Sequence, residues 1–297
     1  MRQNDRFSAA HPAVAFVFFA GVIVLAVIFQ HPAYLAASVL GAAACLLSLR
    51  GRTAWRTILG MVPLFLVLSL LNPLFNTRGE RVLLTVLGRP YTLEALYYGM
   101  AIAGMLIAVL LWFLCYSQVM TSDKFTCLFG NLIPALSLLL VMVLRLIPAY
   151  QRKTAQISGA RRCIGKSPAG TSRLRDKVMG GMTILSALTT WALEGSVVTA
   201  DAMRCRGYGT ARRSSFQIYR FTAADGLLLA AMLAMMAATI IAASLGWTAA
   251  SYTPELVLAP VAGPSIAGLA AYAALLLIPA LMNLWEALKW HSLRSKI

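Results

Sequence analysis

Residues 159–165 read Gly159-Ala160-Arg161-Arg162-Cys163-Ile164-Gly165, and residues 204–209 read Arg204-Cys205-Arg206-Gly207-Tyr208-Gly209. The stretch that contains them, 147–219, is rich in Ser, Thr, Ala, Gly and basic residues and is too polar to cross a membrane easily. On both sides lie apolar runs close to the ~20 residues that a transmembrane helix needs. Placing this basic stretch decides the fold. Read as the aqueous face of a membrane protein, it divides the chain into N-terminal membrane helices over 1–121, a cytoplasmic or interfacial domain over 122–220 and C-terminal membrane helices over 221–297.

Composition supports that reading. The chain has 297 residues, of which 60% are hydrophobic and only 12% charged, and its mean hydropathy is +0.75. An ordinary soluble domain is less apolar. The net charge of +16 fits loops facing an anionic leaflet or an acidic partner. It does not point to nucleic acid, because the basic residues are not interleaved with an aromatic stacking face. Cys45, Cys115, Cys127, Cys163 and Cys205 form no Cys-x-x-Cys pair, and there are three histidines. Neither a metal site nor a disulfide framework is suggested, and no cofactor is expected. The polar, basic residues 1–12 precede the first apolar run without a convincing cleavage motif, so that run reads as a retained span.

Six apolar runs read as spans: 13–29, 33–49, 58–75, 95–116, 226–245 and 266–285. His31-Pro32 punctuates the first two, which form a tight helical hairpin. Pro63 interrupts the third, and Asn72-Pro73 closes it. Residues 82–86 have β character and fit a small hairpin across Gly88-Arg89-Pro90. A seventh apolar run, 132–147, is read as non-crossing. A full crossing there would place 151–220 outside, with thirteen Lys and Arg against Asp176, Glu194 and Asp201. The positive-inside rule opposes that. The run instead enters at a slant or lies along the face, with Arg145 snorkelling. The expected fold is therefore all-α and polytopic. It has about six transmembrane helices, both termini cytoplasmic, and long cytoplasmic or interfacial helices between the fourth and fifth spans.

Within the basic stretch, a helix from about 134 through Pro148 to 159 is expected, kinked at the proline. A linker at 166–172 follows, then two helices, 171–181 and 182–204, the second closed by Gly207 and Gly209. Ala160 to Ser167 formally fits a relaxed phosphate-loop pattern. A phosphate loop needs a preceding strand and exposed backbone N–H groups. Here a helix precedes, two arginines fill the middle and Pro168 follows. Nucleotide binding is not expected.

Both arginine motifs sit at helix C-termini. There a guanidinium meets the negative end of the helix dipole and offers a planar fork to carboxylates or carbonyls. Two uses fit equally from the residues alone: contact with lipid headgroups, or docking into a groove on a soluble protein.

Ala160-Arg161-Arg162 and Cys205-Arg206-Gly207 resemble the paired Ala-Arg-Gly coupling motifs of the T component of energy-coupling factor (ECF) transporters. The runs Thr190-Trp191-Ala192-Leu193-Glu194 and Thr199-Ala200-Asp201-Ala202-Met203 are similar to the family's approach to its second motif. His11-Pro12 and Asn72-Pro73-Leu74-Phe75-Asn76 are similar to a bacterial branch. Arg162 stands where the family pattern has Gly, and Cys205 where Ala is usual; the central Arg161 and Arg206 are kept.

The resemblance implies a non-catalytic membrane scaffold in a bacterial plasma membrane. In such transporters two cytoplasmic ABC-type ATPase subunits hydrolyse ATP, and a separate S component binds a vitamin or metal ion. Carried onto this chain, Arg161 and Arg206 each enter a groove on an ATPase, while Ala160, Arg162, Cys205 and Gly207 shape the helix ends. Glu194 and Asp201 are expected to pair with neighbouring arginines. As proton-relay groups they would instead belong to a stand-alone ion-coupled secondary transporter, but the spans hold almost no buried ionisable residues. A membrane transferase acting on phosphorylated lipids would need clustered Asp for Mg²⁺, and none is present.

Overall fold

In the computed structural model the described residues are 6–76, 82–86, 89–130, 134–165, 174–210, 219–252, 257–260 and 263–294. Among them the chain is helical apart from two small two-stranded hairpins. In order these are α1 (Arg6–Ala9), α2 (Pro12–Ile28), α3 (Pro32–Arg50), α4 (Arg52–Phe75), β1 (Val82–Val86), β2 (Arg89–Thr92), α5 (Leu93–Val119), α6 (Ser122–Gly130), α7 (Pro134–Cys163), α8 (Leu174–Cys205), α9 (Ala223–Ser244), β3 (Ala250–Ser251), β4 (Val257–Leu258) and α10 (Pro264–Arg294). The chain divides into two compact units. One combines Met1–Phe125 with Tyr219–Ile297, and the other is Thr126–Ile218.

The first unit holds five helices long and apolar enough to cross a membrane: α3, α4, α5, α9 and most of α10. This is a multi-pass membrane protein. The run expected as the first span forms α2, which has 17 residues, about 25 Å of helix against a hydrocarbon core of about 30 Å. In α4 only 11% of the spanning window is buried although its mean hydropathy is 2.2. Phe75 at its end is 80% exposed. Apolar surface on that scale is unfavourable in water and neutral in lipid.

The core of this unit is aromatic. Phe7, Phe18, Phe19 and Trp112 are fully buried. Their rings meet edge to face, with centroids 5.3 Å apart for Phe7–Phe18 and 5.8 Å for Phe18–Trp112. The Trp112 indole Nε1–H donates to Ser38 Oγ at 3.1 Å, joining α5 to α3. Between apolar helices in lipid, association rests on such bonds and on close backbone approach. Gly99 supplies the approach: a Cβ there would lie 2.7 Å from the backbone oxygen of Ser69 in α4.

The two helices of the first hairpin begin alike. In His11-Pro12-Ala13 and His31-Pro32-Ala33 the histidine is the N-cap, and its Nδ1 accepts the amide N–H of the residue two on, at 3.2 Å in each case. Proline at the first helical position has no N–H to leave unpaired and its φ suits the helix. The β1–β2 hairpin is formed as expected, antiparallel, with a register shift between Val82 and Leu84; its turn, 87–88, lies outside the described residues.

In the second unit α7 is continuous through Pro148 and past Gly159, ending at Cys163, four residues beyond the expected stop. A second correction concerns α8. The two helices expected at 171–181 and 182–204 are one helix of 32 residues, Leu174–Cys205. The glycines at 180 and 181 each cost only about 1 kcal/mol in a helix interior. The helix is unbroken across them, and Thr183 Oγ1 adds a side-chain bond to the Met179 carbonyl at 2.9 Å. The expected linker, 166–172, lies outside the described residues.

Candidate functional site: two arginine-bearing helix ends

The second unit brings α7 and α8 together at one aromatic crossing. The Tyr150 and Trp191 rings meet edge to face, with centroids 5.6 Å apart at 83°. Lys153 Nζ lies 5.7 Å from the Trp191 ring centroid, within range of a cation–π attraction. Beside the crossing a shallow groove of about 480 Å³ is lined by Tyr150, Leu185, Leu188, Thr189, Ala192 and Leu193. From it the arms run on. At 1.5 Å per residue, Arg161 lies about 16 Å along α7 from Tyr150, and Arg206 about 22 Å along α8 from Trp191.

The first arm ends in a full helical turn that carries Ala160, Arg161 and Arg162. Ala160 and Arg162 are exposed and Arg161 is half-buried. The Arg161 Nε is shielded from solvent yet has no hydrogen-bond partner. A buried donor without an acceptor is costly, so this side chain is suited to a partner that supplies one. The arm closes at Gly165, which has φ +74° and donates its N–H to the Arg162 carbonyl at 3.0 Å. The departure at Arg162 thus has a structural counterpart: Arg162 remains helical, and the left-handed glycine falls three residues later.

The second arm ends more tightly. The N–H of Arg206 still bonds the Ala202 carbonyl at 3.2 Å. Gly207, with φ +72°, follows at once. Its N–H bonds the Arg204 carbonyl at 3.0 Å, and that of Tyr208 bonds the Met203 carbonyl at 3.1 Å. This pair of bonds is a Schellman cap, which satisfies the last carbonyls and requires a left-handed residue. Arg206 is exposed at the rim of the cap, and Cys205 before it is exposed as well. Cys205 thus replaces an expected Ala where no packing constrains the side chain.

Glu194 and Asp201 are exposed on α8. The expected pairing with arginines is not formed among the described residues. The bonds that hold α8 along this face are local: Thr199 Oγ1 donates to Gly195 O at 2.7 Å, and Ser196 Oγ to Leu193 O at 2.7 Å. In the apparent phosphate loop, residues 160–163 are helix rather than the end of a strand. Lys166 and Ser167 lie outside the described residues. Among the described residues no three His, Cys, Asp or Glu side chains are grouped to hold a metal ion.

Three residues in the first unit escaped the sequence reading. Lys124 is 4% exposed, and burial lowers its pKa from the usual lysine value. Asp225 accepts the His11 backbone N–H at 3.3 Å. Phe7 is fully buried in a segment that reads as polar. Lys124 and Phe7 are set by tertiary packing and have no spacing signal, whereas Thr222-Ala223-Ala224-Asp225 is a capping box that the sequence spells out at the start of α9. No protein-family model matches the chain, and no curated protein does.

Proposed function

We propose that the chain is the transmembrane scaffold of an ECF-type importer in a bacterial plasma membrane. It couples ATP hydrolysis on two separate ABC-type ATPase subunits to movement of a substrate-binding S component for vitamin or metal-ion uptake. In this reading the chain itself is not an enzyme. It has six spans, with α2 as a short first one, and both termini are cytoplasmic. The observation that carries the proposal is the pair of long helices in a unit of their own, each ending in an arginine motif, with a left-handed glycine directly after Arg206 and one three residues after Arg162.

Arg161 and Arg206 are the docking groups. Each guanidinium extends the end of a helix, where the negative dipole terminus favours a cation, and each presents a fork to a carboxylate or carbonyl on an ATPase. Closure of the ATPases on ATP displaces the arms. The Tyr150–Trp191 contact makes the arms move together, and the S component follows. Ala160, Arg162, Cys205 and Gly207 shape the two ends. The substitutions Arg161→Glu and Arg206→Glu, made together, test this. The expected result is a membrane protein with wild-type expression and melting behaviour that no longer co-purifies with its ATPases. Retained co-purification together with retained uptake would refute it.

A further inference from the structure

The chain leaves the membrane unit after Phe125 and returns to it at Tyr219. These are the two covalent connections between the units. Both are fastened, within the membrane unit, to the same short N-terminal segment.

On the outgoing side, Lys124 Nζ donates to the Ser8 carbonyl at 2.6 Å, to Ser8 Oγ at 3.0 Å and to the Val119 carbonyl at 2.8 Å. Val119 is the last residue of α5, so the ammonium sits on a terminal carbonyl at the negative end of that helix's dipole. A primary ammonium has three donors, and all three are used. On the returning side, Asp225 Oδ1 accepts the His11 N–H at 3.3 Å. Its Oδ2 accepts the Thr222 N–H at 3.0 Å and the Thr222 hydroxyl at 2.7 Å. Phe221, just before, meets the His11 ring edge-on at 5.2 Å.

Ser8 and His11 are three residues apart, and the segment between them is itself anchored. Phe7 is fully buried against Phe18 and Phe19, and its N–H donates to Asn283 Oδ1 of α10 at 3.4 Å. His11 caps α2 through Nδ1. We infer that residues 7–11 form a clasp that holds both connections of the coupling unit to the membrane bundle. Lys124 and Asp225 are its positioning residues, transmitting displacement of the arms instead of letting it dissipate in slack connections. The transmission role rests on the proposed coupling function; the clasp itself does not.

Two experiments separate these. Hydrogen–deuterium exchange on the purified chain compares wild type with Lys124→Met. The clasp predicts at least threefold faster exchange not only at 119–125 but also at the amides of His11 and Asp225, on the opposite connection. Acceleration confined to 119–125 overturns it. Should Lys124→Met fail to fold, Ser8→Ala removes one acceptor and carries the same readout. In the reconstituted transporter, Lys124→Met and Asp225→Ala are expected to lower uptake per ATP hydrolysed at least fivefold with the ATPases still bound. Asp225→Asn, which keeps an acceptor for the His11 N–H, should stay within twofold of wild type. An unchanged uptake-to-hydrolysis ratio in both loss variants overturns the transmission role. Failure of the wild-type chain to bind any ATPase would instead refute the coupling function, while the exchange result still decides the clasp.

Discussion

Replacing Gly207 tests how the second arm presents its arginine. At φ +72° a residue with a Cβ pays roughly 1–2 kcal/mol for the left-handed conformation, more when β-branched. A Cβ at Gly207 would also lie 3.2 Å from Thr210 Oγ1, a side chain able to give way. Gly207→Val therefore costs at least about 2 kcal/mol if the cap is kept. The cheaper course is to give up the two cap bonds, from Gly207 to Arg204 and from Tyr208 to Met203, and let the last turn unwind. Because that end is exposed, the melting temperature should hardly change. Binding must restore the cap, so ATPase affinity should fall by up to that energy, about thirtyfold for 2 kcal/mol, read by titrating labelled ATPase onto the protein in nanodiscs. Gly207→Asn, which tolerates the left-handed region, should recover most of the affinity. If exchange shows the last turn frayed in Gly207→Val but ATPase binding stays within twofold, the geometry of this helix end does not matter and the reasoning fails.

Other predictions concern the membrane unit. Gly99→Leu forces α4 and α5 apart at the Ser69 carbonyl and should lower stability by about 1–3 kcal/mol, the range for overpacking a close contact; steric-trap or denaturant unfolding in detergent measures it. Lys124 also predicts a pH dependence. Its folded pKa is lowered by burial, so the unfolded chain binds more protons between the folded value and the ordinary value of 10.5. Wild-type stability should therefore rise with pH across that alkaline window relative to Lys124→Met, and the difference should be flat below it. Thermal melts of both proteins from neutral pH upward check the sign.

The spans were legible because lipid imposes a simple demand: about 20 apolar residues with internally satisfied backbone. The runs expected at 33–49, 58–75 and 95–116 lie within α3, α4 and α5. The end of α8 was legible too, since Gly207 is the common residue for a left-handed cap. The continuity of α8 was not. Adjacent glycines signal a break in a short helix, but their cost is small against a helix of 32 residues. Nor was the end of α7: Gly159 looked like a stop, yet the left-handed residue is Gly165. His-Pro-Ala occurs at 11–13 and again at 31–33, and only the structure turns that echo into two histidine N-caps. Lys124 is the deepest omission. A lysine just past a span normally snorkels to water, and here it is buried instead where it bridges Ser8 of α1 to Val119 at the end of α5, which no local pattern encodes.

The most direct test of the coupling function is affinity purification of the wild-type chain from its native membrane, with identification of every bound chain. The proposed function predicts one or two kinds of ABC-type ATPase and a small, separate membrane protein in the eluate, all released from the chain when Arg161 and Arg206 are both reversed to Glu except those held by the membrane helices alone. Recovery of the chain by itself, active in uptake across an ion gradient and indifferent to ATP, would contradict it.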